Sequence, residues 1–84
     1  MTRADKLLRK LMAVPVPKDF KWDDLTTLMR QHGFVPSCDG GSHYVFEHTS
    51  GIRMTMSKPH PSGILKVYQV KDALEALRKV EAIE

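Results

Sequence analysis

The chain has 84 residues, a formal net charge of +3 and a single cysteine. A chain of this length holds one small domain, and the single cysteine excludes a disulfide framework and indicates a reducing compartment. No apolar run approaches the roughly 20 residues that cross a bilayer, and the N-terminal segment is charged rather than signal-like. We therefore expect a cytoplasmic protein without membrane segments. The modest positive charge favours a polyanionic partner and does not identify it.

Two helices are predicted in the first part of the chain. Apolar residues at helical spacing indicate the first over residues 3–12, with an apolar face made of Ala4, Leu7, Leu8, Leu11 and Met12. The prolines at positions 15 and 17 predict an extended connector after it, because each removes a backbone donor and disfavours helix before it. A second helix is expected over 22–32, with a buried face of Trp22, Leu25, Leu28 and Met29.

Three strands and a last helix are predicted in the rest of the chain. The strands cover residues 34–38, 42–48 and 52–57, and the helix runs from about 67 to 83. Its predicted buried stripe consists of Val70, Ala73, Leu74, Leu77 and Val80. This order predicts an α+β fold of two layers, with helices on one face of a three-stranded antiparallel sheet. The other face of the sheet is then open.

One histidine begins the second predicted strand directly after a glycine turn. Side chains alternate between the two faces of a strand, so Tyr44 and Phe46 are expected in the core and His43 on the open face. By the same parity, Arg53 and Thr55 of the third strand share that face. Histidine takes and gives protons near neutral pH, which suits general acid–base catalysis. An ordinary solvated histidine is the alternative that the residue type alone leaves open.

Four short segments, taken in order, resemble the HicA-family toxins of bacterial toxin–antitoxin pairs. They are Phe-Lys-Trp-Asp-Asp-Leu at 20–25, Gly-Phe at 33–34, Gly-Ser-His-Tyr-Val-Phe at 41–46 and Pro-His-Pro at 59–61. The resemblance covers about residues 19–82 and includes the closing helix. We therefore expect a single HicA-like domain over 1–84, in which 1–18 form an N-terminal helix and connector and 19–84 the core. Lys21 and Val67 depart from the residues that commonly start the two core helices in the family.

The resemblance implies a fold like the double-stranded-RNA-binding domain, with the N-terminal helix added to it. It also implies an endoribonuclease that cleaves mRNA and thereby inhibits translation and growth. We expect this activity to be independent of metal ions, because no cluster of residues has the spacing of a metal site. The family's catalytic histidine carries over onto His43. A cognate HicB-type antitoxin is the implied protein partner, and we expect it to cover the open face around His43.

Further polar residues near this histidine are candidates for RNA contacts. Arg53 and Lys58 are expected to contact phosphate, because cations stabilise the charge that develops on a phosphodiester during cleavage. His60, held between two prolines, and Ser42 are the other candidates for RNA binding. Each has an ordinary alternative: a solvated arginine, a loop lysine, a rigid turn and a serine that satisfies turn backbone.

No metal site or cofactor is predicted. Cys38, His43 and His48 are evenly spaced, but the two histidines are separated by about 17 Å along a strand and point to opposite faces. Two other functions are compatible with the sequence: a non-catalytic RNA-binding module, and an inactive protein that only binds an antitoxin-like chain. RNA binding alone does not require His43.

Overall fold

Three helices and three strands make up the described part of the chain. The structure is a computed structural model that describes residues 3–38, 40–80 and 82, with residues 3 and 4 described by their backbone alone. The elements in chain order are α1 (Arg3–Leu11), α2 (Trp22–Gln31), β1 (Phe34–Cys38), β2 (His43–His48), β3 (Arg53–Ser57) and α3 (Val67–Lys79). All six predicted elements are present, so the α+β prediction is confirmed.

The sheet is antiparallel with the strand order β1-β2-β3, so β2 is central and the other two strands are edges. Phe46, Met54 and Met56 are buried, whereas the intervening Glu47 and Thr55 are exposed. The predicted parity is therefore correct, and the helices cover the face that carries the buried side chains. From α2 to α3 the elements follow the order helix, three strands, helix.

Trp22 joins the second helix to the central strand. Its ring lies 5.1 Å from the ring of Tyr44 and 5.7 Å from that of Phe46, measured between centroids. Burying a large apolar side chain stabilises a fold by about 1.5–3 kcal/mol, and aromatic pairs add to this. The predicted inward face of α2 is confirmed, since its four apolar residues are all buried: Trp22, Leu25, Leu28 and Met29. This packing fixes α2 against the sheet.

The first helix covers a narrower apolar face than predicted. Leu7 and Leu11 join the core shared with α2 and α3, and Leu8 is partly buried against it. Met12, however, is 46% exposed, because α1 ends at Leu11 and the chain turns away toward its prolines. Placing Met12 on the buried face was therefore wrong. The side chain of Ala4 lies outside the described residues.

The last helix ends earlier than the periodicity predicted. α3 stops at Lys79 and Val80 caps it, and residue 83, the predicted end, lies outside the described residues. Within the helix Leu74 is only partly buried, whereas Gln69 and Ala76 are buried and were not predicted to be. The buried face of α3 is thus rotated slightly from the predicted stripe. This rotation places Gln69 next to the end of β3.

A long-range connection ties the start of α2 to the loop that follows β3. The backbone N–H of Trp22 donates to the carbonyl of Gly63 at 2.8 Å, and the N–H of Leu65 donates to the carbonyl of Phe20 at 2.8 Å. Lys21, between them, forms a β-bridge with Ile64. Lys21 has no capping side-chain bond of its own, so the loop satisfies a donor that the helix start leaves free.

None of the helices in the described ranges combines the length and the apolar character needed to cross a bilayer.

Candidate functional site

His43 is the first residue of β2 and its side chain is exposed. Its backbone N–H donates to the carbonyl of Gly40 at 3.1 Å, which closes the turn before the strand. Gly40 and Gly41 have φ values of 109° and 57°, in the left-handed region that favours glycine. The two glycines thus allow a tight turn that presents the imidazole at the end of a rigid strand.

Ser57 faces His43 across the sheet. The two residues are paired in the register of β2 and β3, and Nδ1 of His43 lies 3.5 Å from Oγ of Ser57. This distance is at the long limit for a hydrogen bond, so the serine orients the ring only loosely. Nε2 has no hydrogen-bond partner among the residues that the structure describes. One nitrogen of the imidazole is therefore free to exchange a proton with a bound molecule.

A groove runs from His43 along the outer edge of β3 to the first turns of α3. We call it the His43 groove; it has a volume of 360 Å³ and its lining includes His43, Val45, Thr55, Ser57, Tyr68 and Asp72. Known ligand sites have volumes of roughly 300–1,000 Å³, so this groove is large enough for a small ligand or part of a polymer. It places a proton-transfer group beside a space that a substrate can enter.

Gln69 connects α3 to the strand end beside His43. Its side chain is buried, and Nε2 donates to the carbonyl of Ser57 at 2.7 Å while Oε1 accepts from the N–H of Lys66 at 2.9 Å. Both polar ends of the amide are thus satisfied, as burial requires. Sequence reasoning missed Gln69, although its spacing from Ala73 and Ala76 matches a buried helical face. The residue fixes Ser57 relative to the groove.

A second groove adjoins the first where β3 ends. We call it the Lys58 groove; it has a volume of 310 Å³ and is lined by Lys21, Asp23, Lys58 and His60, among others. The N–H of Lys58 donates to the carbonyl of Ser42 at 2.8 Å. This bond extends the pairing of β2 and β3 by one residue beyond His43 and Ser57. Two lysines face one carboxylate in this groove, which favours an anionic group.

The structure brings some predicted site residues together and separates others. Ser42 precedes His43 and is half-buried, and Lys58 and His60 line the neighbouring groove. Arg53 lies at the other end of β3, about 13 Å from Ser57 if each residue of the strand spans roughly 3.3 Å. There its Nε forms an ion pair with Oε2 of Glu47 at 2.9 Å.

Lys21 is a groove residue that the sequence did not reveal. It precedes α2, and only the bridge to Ile64 carries it to Lys58, far along the chain. No local pattern around position 21 contains this information. A lysine at a helix N-cap, where a serine or threonine is usual, was the one unusual feature.

His48 lies on the opposite face of the sheet from His43. Its Nδ1 accepts the backbone N–H of Ser50 at 3.0 Å, and its ring packs against Phe34 with 5.0 Å between centroids. The same ring closes over Gly33, where an added Cβ atom would lie 2.9 Å from Nε2 of the histidine. These contacts give His48 a structural role. Within 3–38, 40–80 and 82, no three metal-ligating side chains come together.

Comparison with known protein families identifies the family of this chain. The family model described as the HicA toxin of bacterial toxin–antitoxin matches residues 22–78. The matched segment begins with α2, includes the whole sheet and the glycine turn, and extends to the last turn of α3. It covers more than half of the chain. No curated protein and no solved structure matches the chain.

Proposed function

Because the chain belongs to the HicA toxin family of bacterial toxin–antitoxin pairs, we propose that it cleaves mRNA and thereby inhibits translation and growth. The observation that carries the proposal is the position of His43. The residue is exposed at the end of a strand, has a free ring nitrogen and lines a groove of 360 Å³. An RNA-binding surface alone needs no such group. The substrate places the activity in the cytoplasm.

His43 acts in this proposal as the general base. It takes the proton of a ribose 2′-hydroxyl, and the 2′-oxygen then attacks the adjacent phosphorus. The bond from phosphorus to the 5′-oxygen of the next nucleotide breaks, and that oxygen takes up a proton from water. The products are a 2′,3′-cyclic phosphate and a 5′-hydroxyl. General base catalysis of this kind contributes about 10²–10⁴-fold to a rate, and the route requires no metal ion.

The lysines of the Lys58 groove hold the RNA backbone. Lys58 lines this groove, and its backbone N–H is bonded to the carbonyl of Ser42 next to His43, so we expect its ammonium to meet a phosphate beside His43. Lys21 and His60 supply further donors in the same groove, and Ser42 directly precedes His43 in the chain. Arg53 contacts the RNA farther along the open face, after its exposed ion pair with Glu47 opens. Such exposed pairs contribute little energy and open readily.

A toxin of this family has a cognate antitoxin, and we propose that a HicB-type antitoxin covers the open face of the sheet. His43, Thr55 and Arg53 are exposed on that face and then lie beneath the partner. Hydrogen exchange of the complex tests this arrangement. Protection of β2 and β3 supports it, whereas protection confined to the helices contradicts it.

We also propose that residues 1–84 act as one domain. Leu7 and Leu11 of α1 are part of the same hydrophobic cluster as α2, the sheet and α3. The ammonium of Lys10 also lies 3.5 Å from a carboxylate oxygen of Asp19, across the connector.

The proposed activity is tested with the purified chain, one RNA and the DNA of the same sequence, all in the presence of EDTA. We expect the RNA to be cut and the DNA to stay intact, because DNA lacks the attacking 2′-oxygen. Mass spectrometry of the fragments is expected to give cyclic phosphate ends. Cleavage that disappears in EDTA and returns with a divalent ion contradicts the metal-free route, and 5′-phosphate ends show that water is the nucleophile.

A further inference from the structure

We propose that α3 supplies a base-recognition wall to the His43 groove, in which Tyr68 stacks on a base and Asp72 accepts hydrogen bonds from it. The inference rests on the proposed ribonuclease function and deepens it by naming the substrate class. The substrate is single-stranded RNA, and the recognised base carries an amino group, with guanine preferred. Tyr68 and Asp72 are then specificity-determining residues for the cleavage site.

Tyr68 is a largely exposed aromatic residue at the surface of α3. Its side chain is 58% exposed, although it lies in the first turn of a helix whose other face is buried. It lines the same groove as His43. Nucleic-acid-binding proteins use exposed aromatic rings as platforms on which bases stack, at about 1–3 kcal/mol per base. The ring is therefore placed to hold a base next to the proton-transfer group.

Asp72 follows Tyr68 by four residues, so both side chains lie on one face of α3. It lines the His43 groove and is exposed, and among the described residues it forms no ion pair. A free carboxylate repels phosphate, so it does not hold the RNA backbone. It accepts hydrogen bonds from base N–H groups, as acidic residues do when they read nucleic acids.

Guanine fits this acceptor best because its N1–H and its amino group lie side by side. The two carboxylate oxygens of Asp72 then each receive one donor. Uracil presents one N–H between two carbonyl oxygens, and these oxygens are repelled by the carboxylate. A site that hydrogen-bonds a base edge discriminates strongly against a base that leaves its groups unpaired. In duplex RNA these edges are paired and the faces are stacked, so only a single strand is recognised.

The first turns of α3, which carry Tyr68 and Asp72, have a fixed position relative to His43. Gln69 follows Tyr68 in the same helical turn, and its buried side chain donates to the carbonyl of Ser57 at 2.7 Å. Ser57 is the residue that faces His43 across the ribbon. A base held by α3 therefore has a set position relative to the imidazole.

Binding is measured first without cleavage, in the His43→Ala background, by fluorescence anisotropy with short single-stranded RNAs that differ at one base. We expect the guanine-containing RNA to bind more tightly than the uracil-containing RNA by about 5- to 150-fold. Adding Asp72→Asn is expected to remove this preference, and adding Tyr68→Ala to weaken binding of every RNA by about 5- to 150-fold. Tyr68→Phe keeps the ring and is expected to bind as before.

Glu75→Gln is the matched control, because Glu75 is an exposed carboxylate of the same helix that pairs with Arg78 and lies outside the groove. It is expected to leave the base preference unchanged. Equal binding of guanine and uracil RNAs, or a preference that survives Asp72→Asn, overturns the inference. The inference is also overturned if Tyr68→Ala binds RNA as tightly as Tyr68→Phe. Because binding is read without cleavage, failure of the ribonuclease proposal appears separately, as a wild-type chain that cuts no RNA.

Discussion

The two ends of the β2–β3 ribbon carry different chemistry on the same open face. At one end His43 faces Ser57, with 3.5 Å between Nδ1 and Oγ, and opens into a groove. At the other end Glu47 faces Arg53 and the two charges form an ion pair at 2.9 Å. Strand parity places both pairs on the same face, so parity alone does not make a site. The residue across the ribbon decides whether a polar group is available for a substrate or already has a partner.

The largest expected effect is on growth inhibition in cells, in which variants at the two ends should differ. His43→Gln should abolish growth inhibition, because a base contributes about 10²–10⁴-fold to the cleavage rate and glutamine cannot take the proton. Glu47→Gln, at the paired end, should remain toxic. Growth after induction measures both, with thermal unfolding as the check on folding. A folded His43→Gln chain that still arrests growth contradicts the assignment of the catalytic base to the His43 end.

The next largest effect is expected on stability, because a buried glutamine fixes the strand end beside His43. Gln69→Leu should lower the free energy of unfolding by about 1–3 kcal/mol, because it leaves the partly buried carbonyl of Ser57 and N–H of Lys66 without their partner. Gln31→Leu is the control, since Gln31 is an exposed glutamine near the end of another helix. Urea unfolding measures both variants. Equal stability of the two variants contradicts the role given to Gln69.

A smaller effect is expected on RNA binding at the two ends. Lys58→Ala should reduce the slope of log affinity against log salt concentration by about 0.7, the value for one phosphate contact with a single strand. Arg53→Ala should change the slope less, since Glu47 already neutralises that arginine. Titrations at several salt concentrations measure the slopes. A larger change for Arg53→Ala than for Lys58→Ala reverses the assignment of the phosphate site.

The smallest effect is the energy of the ion pair itself. Glu47 and Arg53 are 53% and 67% exposed, so a double-mutant cycle should give a coupling of only about 0.2–1 kcal/mol. The coupling should fall as salt is added, because ions screen exposed charges. Urea unfolding of the two single variants and the double variant measures it. A coupling that salt does not change indicates a pair shielded from solvent rather than one ready to open.

The sequence predicted the elements well because their signals are local. Helical spacing of apolar residues identified all three helices, and alternation placed His43 and Phe46 on opposite faces. The end of α3 and the exposure of Met12 were not predicted correctly, because periodicity continues beyond the point where a helix has a packing partner. Element ends depend on tertiary contacts that spacing does not contain.

The composition of the candidate site was harder to predict than the fold. Parity placed Arg53 on the open face with His43, but only the strand register revealed that Glu47 faces it. Lys21 reaches Lys58 through a bridge to Ile64, a contact between distant parts of the chain. Such juxtapositions arise from the way the elements pack, and a single sequence gives no direct signal for them.

The most direct test of the account is the rate of RNA cleavage by a folded His43→Ala chain, with and without added imidazole. In single-turnover reactions we expect the variant to be slower by about 10²–10⁴-fold, and free imidazole to restore part of the rate by replacing the missing base. His32→Ala is the matched control, because His32 caps the end of α2 and lines neither groove. It should keep the rate of the chemical step and show no response to imidazole. A His43→Ala chain that cleaves RNA at the wild-type rate would contradict the central claim.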